Sequence, residues 1–127
     1  MNQKDFITAI KIAVLDASIE GIRASLTQPV GRNPNVKIKE LSQWFNRLSE
    51  ADKKNIVESV RLAVHASTFN MLCVLDGVNA IETTPDKGEI NLSFIKDLKT
   101  TRLNGPQDEM LHDIYQSLVQ NEVFEKR

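Results

Sequence analysis

Cysteine, histidine and glycine are all scarce in this 127-residue sequence, and each scarcity closes off a kind of chemistry. The lone Cys73 can form no disulfide within the chain. Its setting, Met71-Leu72-Cys73-Val74-Leu75, predicts a buried, unreactive thiol and fits a reducing compartment. A metal site needs several converging ligands, and His65, His112 and Cys73 are the only soft ones, no two of them at helical ligand spacing. No metal and no cofactor are therefore expected. The five glycines, at 21, 31, 77, 88 and 105, stand singly, so no loop is built to cradle phosphate. No run approaches the roughly 20 apolar residues that span a bilayer, and the N-terminal segment is interrupted by Lys11 and Asp16 where a signal peptide would be apolar. A cytoplasmic protein with no membrane partner is the expectation.

With 41% hydrophobic and 26% charged residues, the composition is that of one ordinary globular domain, here spanning 1–127. From Asp5 to Leu26 the apolar residues fall into two interleaved stripes: Phe6, Ile10, Ala13, Ala17, and Ile12, Leu15, Ile19, Ile22, Leu26. That arc predicts a central helix, ended by the proline- and glycine-bearing stretch Thr27 to Asn35. Ile38, Leu41, Trp44, Phe45 and Leu48 predict a second helix over Val36 to Leu48, with its aromatics as core anchors. Ser49, followed by Glu50 and Asp52, caps a third helix that can run to Asp76, with Gly77 as its left-handed terminator. Ala66-Ser67-Thr68 lowers helix propensity and marks a place for a bend, and a continuation through Asp76-Gly77 to Ile81 is the alternative ending.

After Gly88 the period changes to two: Ile90, Leu92 and Phe94 alternate with Asn91, Ser93 and Ile95. With a turn at Asp97 and the β-branched Thr100-Thr101, this predicts a hairpin over about residues 89–103. A last helix follows, with Pro106 in its first turn and Leu111, Ile114, Tyr115, Leu118 and Val119 buried, before a frayed tail from Glu122. The fold class is α+β, mainly α: a bundle of about four helices with one antiparallel β-hairpin before the last.

Charge is unevenly spread. Residues 1–63 hold ten Lys/Arg and seven Asp/Glu, a balance of +3, and residues 64–127 hold six and ten, a balance of −4. Arg32, Lys37 and Lys39 lie near Trp44, a combination that can bind single strands, but Trp44 keeps step with the apolar face and reads as core. No nucleic-acid partner is expected. His65 lies eight residues before Cys73, about two helical turns, too far for a Cys-His pair. His112 with neighbouring carboxylates, or Asp76 paired with Glu82 or Asp86, leaves a small hydrolase as a remote reading, with no catalytic residue assigned; Asp76 reads better as a brace for the turn at Gly77.

The stretch Phe69 to Val78, the strand Gly88-Glu89-Ile90-Asn91-Leu92, Leu103-Asn104 and Leu111-His112-Asp113-Ile114-Tyr115 together resemble small bacterial proteins that include immunity proteins of contact-dependent growth inhibition and other polymorphic toxin systems. The resemblance covers roughly residues 44–118. It implies a non-enzymatic protein that binds a cognate toxin domain, often a nuclease, and covers or distorts its active site. Such toxins present basic surfaces, so the expected contact is the acidic set Glu82, Asp86, Glu89, Asp97, Asp108, Glu109 and Asp113. A housekeeping interaction module or homodimer, using the wide apolar stripes of the first helix, is the competing expectation.

Overall fold

The computed structural model describes residues 1–125. One long N-terminal helix is built of three pieces: α1 (Gln3–Ile10), a π-helical turn (Lys11–Asp16) and α2 (Ala17–Thr27). Then come α3 (Val36–Asn46), α4 (Glu50–Leu75), the hairpin strands β1 (Ser93–Lys96) and β2 (Lys99–Arg102), and α5 (Leu111–Phe124). This is the α+β, mainly helical arrangement that the periodicities predict.

Side-chain caps start the first three helical runs. Asn2 and Asp5 form a reciprocal capping box at α1, Asn35 accepts from the amides of Lys37 and Ile38, and Ser49 accepts from that of Asp52. Gly77, at φ +77°, ends α4 as expected, and the helix does not continue to Ile81. Helix α4 also passes through Ser67 and Thr68 without interruption. Their hydroxyls donate back to the carbonyls of Ala63 and Val64, inside the helix's own ladder.

The core is where α1, the π turn, α2, α4 and α5 meet. Ile7, Leu15, Ile19, Leu72, Leu111, Tyr115, Val119 and Val123 form one buried cluster. The two predicted stripes of the first helix do not survive intact: Ala13 and Ala17 are exposed, as are Ile12 and Ile22. The reason is the π turn. Its extra residue per turn rotates the face that points inward, so that burial follows Ile7, Leu15 and Ile19. The same i to i+5 spacing sets Lys11 above Asp16, Nζ to Oδ2 3.0 Å, and Lys11 also reaches Glu122 of α5 at 3.1 Å. Arg61 of α4 lies 3.5 Å from Glu122 as well, so the residue expected at the head of a frayed tail instead ties three helices together. Helix α5 runs through it to Phe124, whose ring meets His65 edge-on; Lys126 and Arg127 lie outside the described residues.

Helix α3 packs chiefly on α2, through Phe45 and Ser42, and Asn46 donates to the Thr27 carbonyl at 3.0 Å. Against one neighbour an amphipathic helix buries a narrow strip. Ile38, Leu41 and Trp44 are therefore each some 40% exposed (40%, 43% and 40%), and Trp44 is no core anchor. Leu118, expected in the buried face of α5, is exposed too.

The hairpin is shorter than the predicted 89–103. Strand pairing proper begins at Ser93↔Arg102 and is extended by Leu103 N–H donating to the Leu92 carbonyl at 2.8 Å. Before that, the Asn104 side chain takes the place of a strand: its Oδ1 accepts from Leu92 N–H, and its Nδ2 donates to the carbonyls of Ile90 and Leu75. The two-residue turn has positive φ at both centres, Asp97 (52°) and Leu98 (64°), the twist that a tight hairpin needs but which only Gly and Asn or Asp adopt readily.

Leu98→Gly should stabilise the monomeric fold by about 1 kcal/mol in urea melts, since it relieves a left-handed leucine that makes no buried contact. His65 is buried, stacked on Tyr115 with its Nδ1 3.2 Å from the tyrosine hydroxyl, and burial lowers its pKa below the ordinary 6.5. As pH falls through about 6.5 the unfolded chain takes up a proton that the folded chain refuses, so stability drops until the pH passes the lower folded value. His65→Phe keeps the stacked ring and removes that proton, so its urea midpoint should fall less than that of the parent between about pH 7.5 and about pH 5. Equal slopes would exclude His65 as the source.

Candidate functional site

The polar centre of the molecule lies where α4 ends and α5 begins. Met110 occupies the N-cap position of α5 and offers no capping oxygen. Asp76, the C-cap residue of α4, supplies it from 35 positions away: Oδ1 accepts from Leu111 N–H at 3.0 Å and Oδ2 from His112 N–H at 2.8 Å. The carboxylate thus sits at the positive end of α5, and it also holds His112 Nδ1 at 2.6 Å. Its side chain is 3% exposed and that of His112 13%. Asp76 therefore braces the start of α5, where the sequence suggests the turn at Gly77.

A histidine oriented by a buried carboxylate is half of a catalytic arrangement, and the other half would be a nucleophile at the second ring nitrogen. His112 Nε2 faces another acid, Asp113, at 3.4 Å, and Phe69 packs edge-on against the ring with centroids 5.5 Å apart. Cys73 lies one turn before Asp76 and is buried; burial first, then the charges of Asp76 and Asp113, raise its thiol pKa, the opposite of what activates a nucleophile. Tyr115, also buried, is pushed up to about 12 and stays protonated. Among the described residues no group of three or more His, Cys, Asp or Glu side chains is placed to hold a metal ion.

Beside this centre opens a cleft of about 460 Å³, walled by the C-terminal end of α4, the 77–90 segment and the base of the hairpin. Ile81, Ile90 and Pro106 give it apolar walls, and Glu82 and Glu89 stand on them with Lys87 and Arg102. The acids are partly committed: Glu82 accepts from Gly88 N–H at 2.9 Å, and Glu89 pairs with Arg102.

The seven acidic residues singled out in the sequence are divided by the fold. Glu82, Asp86 and Glu89 belong to the segment that walls the cleft. Asp108 closes the turn before α5 by accepting from Gly105 N–H, Glu109 gives its carbonyl to the Gln3 side chain, and Asp113 is in the first turn of α5. Pro106 and the acids 108 and 109 therefore precede the helix, which begins at Leu111. Asp97 stands apart at the hairpin tip, between Lys96 and Lys99.

Two features escape sequence reasoning. Asp76 and His112 are joined across the fold, and the only trace of this in the chain is the missing cap before Leu111. Asn104 has no trace beyond its place in a turn. Comparison of the chain with protein-family models, with curated proteins and with solved structures returned no match. No helix among the described residues is long and apolar enough to cross a membrane.

If Asp76 is a brace, its loss should cost stability in proportion to the donors left bare. Asp76→Ala should destabilise by about 2–4 kcal/mol, a cap plus a charge-assisted hydrogen bond, and Asp76→Asn by less than half of that. Urea denaturation of both variants measures the difference.

Proposed function

We propose that this chain is a non-enzymatic binding protein which neutralises a cognate toxin domain through the acidic side of the molecule, around the cleft beside Asp76. One observation carries the binding reading: the chain leaves more surface in water than a self-sufficient domain of its size, with many large apolar side chains on it. Its accessible surface is 9043 Å², where a folded 14.3 kDa monomer has about 6,800 Å². Among the described residues eighteen large apolar side chains are exposed and eleven hydrophobic ones are buried. An extended surface with this many apolar side chains supports contact with another macromolecule.

The toxin as that macromolecule rests on the family resemblance and on charge. Glu82 and Glu89 line the cleft at the carbonyl end of α4 with Lys87 and Arg102 among them, Asp86 lies in the same 77–90 segment, and the negative pole of that helix adds to the field of the acids. A nucleic-acid-cleaving domain carries a basic surface, and opposite potentials speed its encounter with such a face. The apolar cleft walls then offer a seat for the partner's side chains. In this reading the Asp76–His112 pair holds α5 in place and does no chemistry.

Co-expression with a candidate toxin domain, sought in the reading frame next to this one, tests the proposal. The expected result is a stable complex that abolishes toxicity, weakens as salt rises, and loses about tenfold or more in affinity when Asp86 and Glu89 are both changed to Lys. An unchanged affinity and salt dependence would remove the acidic face from the contact.

A further inference from the structure

We propose that the segment from Val30 to Arg47, a turn followed by helix α3, binds an anionic lipid surface, with its apolar side chains among the headgroups and its cations on the phosphates. The contact uses the opposite charge from the toxin reading and does not depend on it.

Helix α3 rests on one neighbour. Phe45 and Ser42 are buried against α2, and the other apolar side chains of the segment are left in water. Lys37, Leu41 and Trp44 follow one another at i, i+4 and i+7, a single row along the helix, with Ile38 beside them. Leu41, Trp44 and Ile38 are all exposed, Val36 at the first position is 69% exposed, and Val30, held in a turn by Pro29 and the left-handed Gly31, is 83% exposed. Trp44 is thus free for a contact that a core residue could not make.

Charge gathers on the same segment. Arg32, Lys37, Lys39 and Arg47 are all exposed, and the one acid among them is Glu40. Residues 28–48 therefore carry +3 in a chain of net charge −1, which leaves −4 for everything else. Elsewhere Lys11, Arg23, Lys53, Arg61 and Arg102 each hold a carboxylate. Among the described residues the four cations of this segment form no ion pair.

The occupant has to be anionic and apolar at once. A toxin with a basic surface is repelled from this side. A single-stranded nucleic acid supplies phosphates but gains its stacking energy on successive aromatic rings, and Trp44 is the one ring exposed on α3; Val30, Val36, Ile38 and Leu41 would gain nothing. A lipid surface satisfies both needs, because aliphatic side chains and a tryptophan settle at the headgroup boundary while Lys and Arg stems reach back to the phosphates. It also asks for no fixed arrangement of charge, which suits four cations that no carboxylate holds in place. At 11 residues, about 16 Å, α3 is far too short to cross a bilayer and would lie along its surface.

Trp44 is the only tryptophan in the chain, so it reports on this contact directly. Titrating the full chain with vesicles of mixed phosphatidylglycerol and phosphatidylcholine should shift its emission to shorter wavelength, shield it from acrylamide and carry the protein into the vesicle pellet. Vesicles of phosphatidylcholine alone, or salt at about 0.5 M, should weaken binding by about tenfold or more. Lys37→Glu/Lys39→Glu and Ile38→Ser/Leu41→Ser should each lower the partition coefficient by about tenfold or more with the reporter still in place. Lys96→Glu/Lys99→Glu makes the same change of net charge at the hairpin tip and should stay within about threefold of the parent, since cations act only where they meet headgroups. Lys37 and Lys39 are exposed, so their variant keeps its fold by circular dichroism even if the serine pair does not. No binding to anionic vesicles overturns the proposal. So does binding that the Lys37/Lys39 variant leaves intact, or that the hairpin variant weakens equally. Tighter binding of oligothymidylate than of the vesicles would overturn it in favour of nucleic acid.

Discussion

The fold turns on one carboxylate. Asp76 ends α4 and begins α5, and it does so by accepting hydrogen bonds from two amides and an imidazole that would otherwise be left without partners at a buried helix start. Everything α5 brings to the core depends on this anchoring: Leu111, Tyr115, Val119 and Val123 all project from a helix whose first turn Asp76 holds. The same anchoring fixes the mouth of the cleft. Asn104, one wall over, joins the Leu75 carbonyl at the end of α4 to the Ile90 carbonyl before the hairpin, so two side chains of ordinary polarity set the relative positions of α4, α5 and the strands.

Most of the architecture was legible because it is written locally. Helical periods, the caps at Ser49 and Gly77 and the change to a period of two before Phe94 each act over a few residues, and each produced its element. What was not legible depends on distance or on pitch. The link between Asp76 and His112 spans 36 positions and leaves no periodic mark. Burial along the first helix was misread because a stripe counted at 3.6 residues per turn assumes a constant pitch, and the π turn breaks that assumption between Lys11 and Asp16. Trp44 was misread for another reason: a spacing tells which side chains share a face, and how much of that face is covered depends on how many neighbours the helix has.

The candidate site was legible only as composition. An excess of acid in the second half of the chain was visible, but its spatial division was not: Glu82 and Glu89 line the cleft with Asp86 in the segment between them, three acids lie before and within the first turn of α5, and Asp97 is isolated among lysines at the far end of the hairpin. Apolar side chains are also left in water on α2, α3 and the strands.

The π turn has a consequence for how the chain can change in length. A wide turn accommodates one residue beyond what a regular coil needs, so removing a single residue between Lys11 and Asp16 would return the helix to uniform winding with Ile7 and Ile19 still directed inward. The same deletion in α2 or α4 would swing every later side chain by about 100°. Descendants of this sequence that differ by one residue near the N-terminus should have gained or lost it there, since that is the one stretch of the first helix where the reading frame of packing has slack.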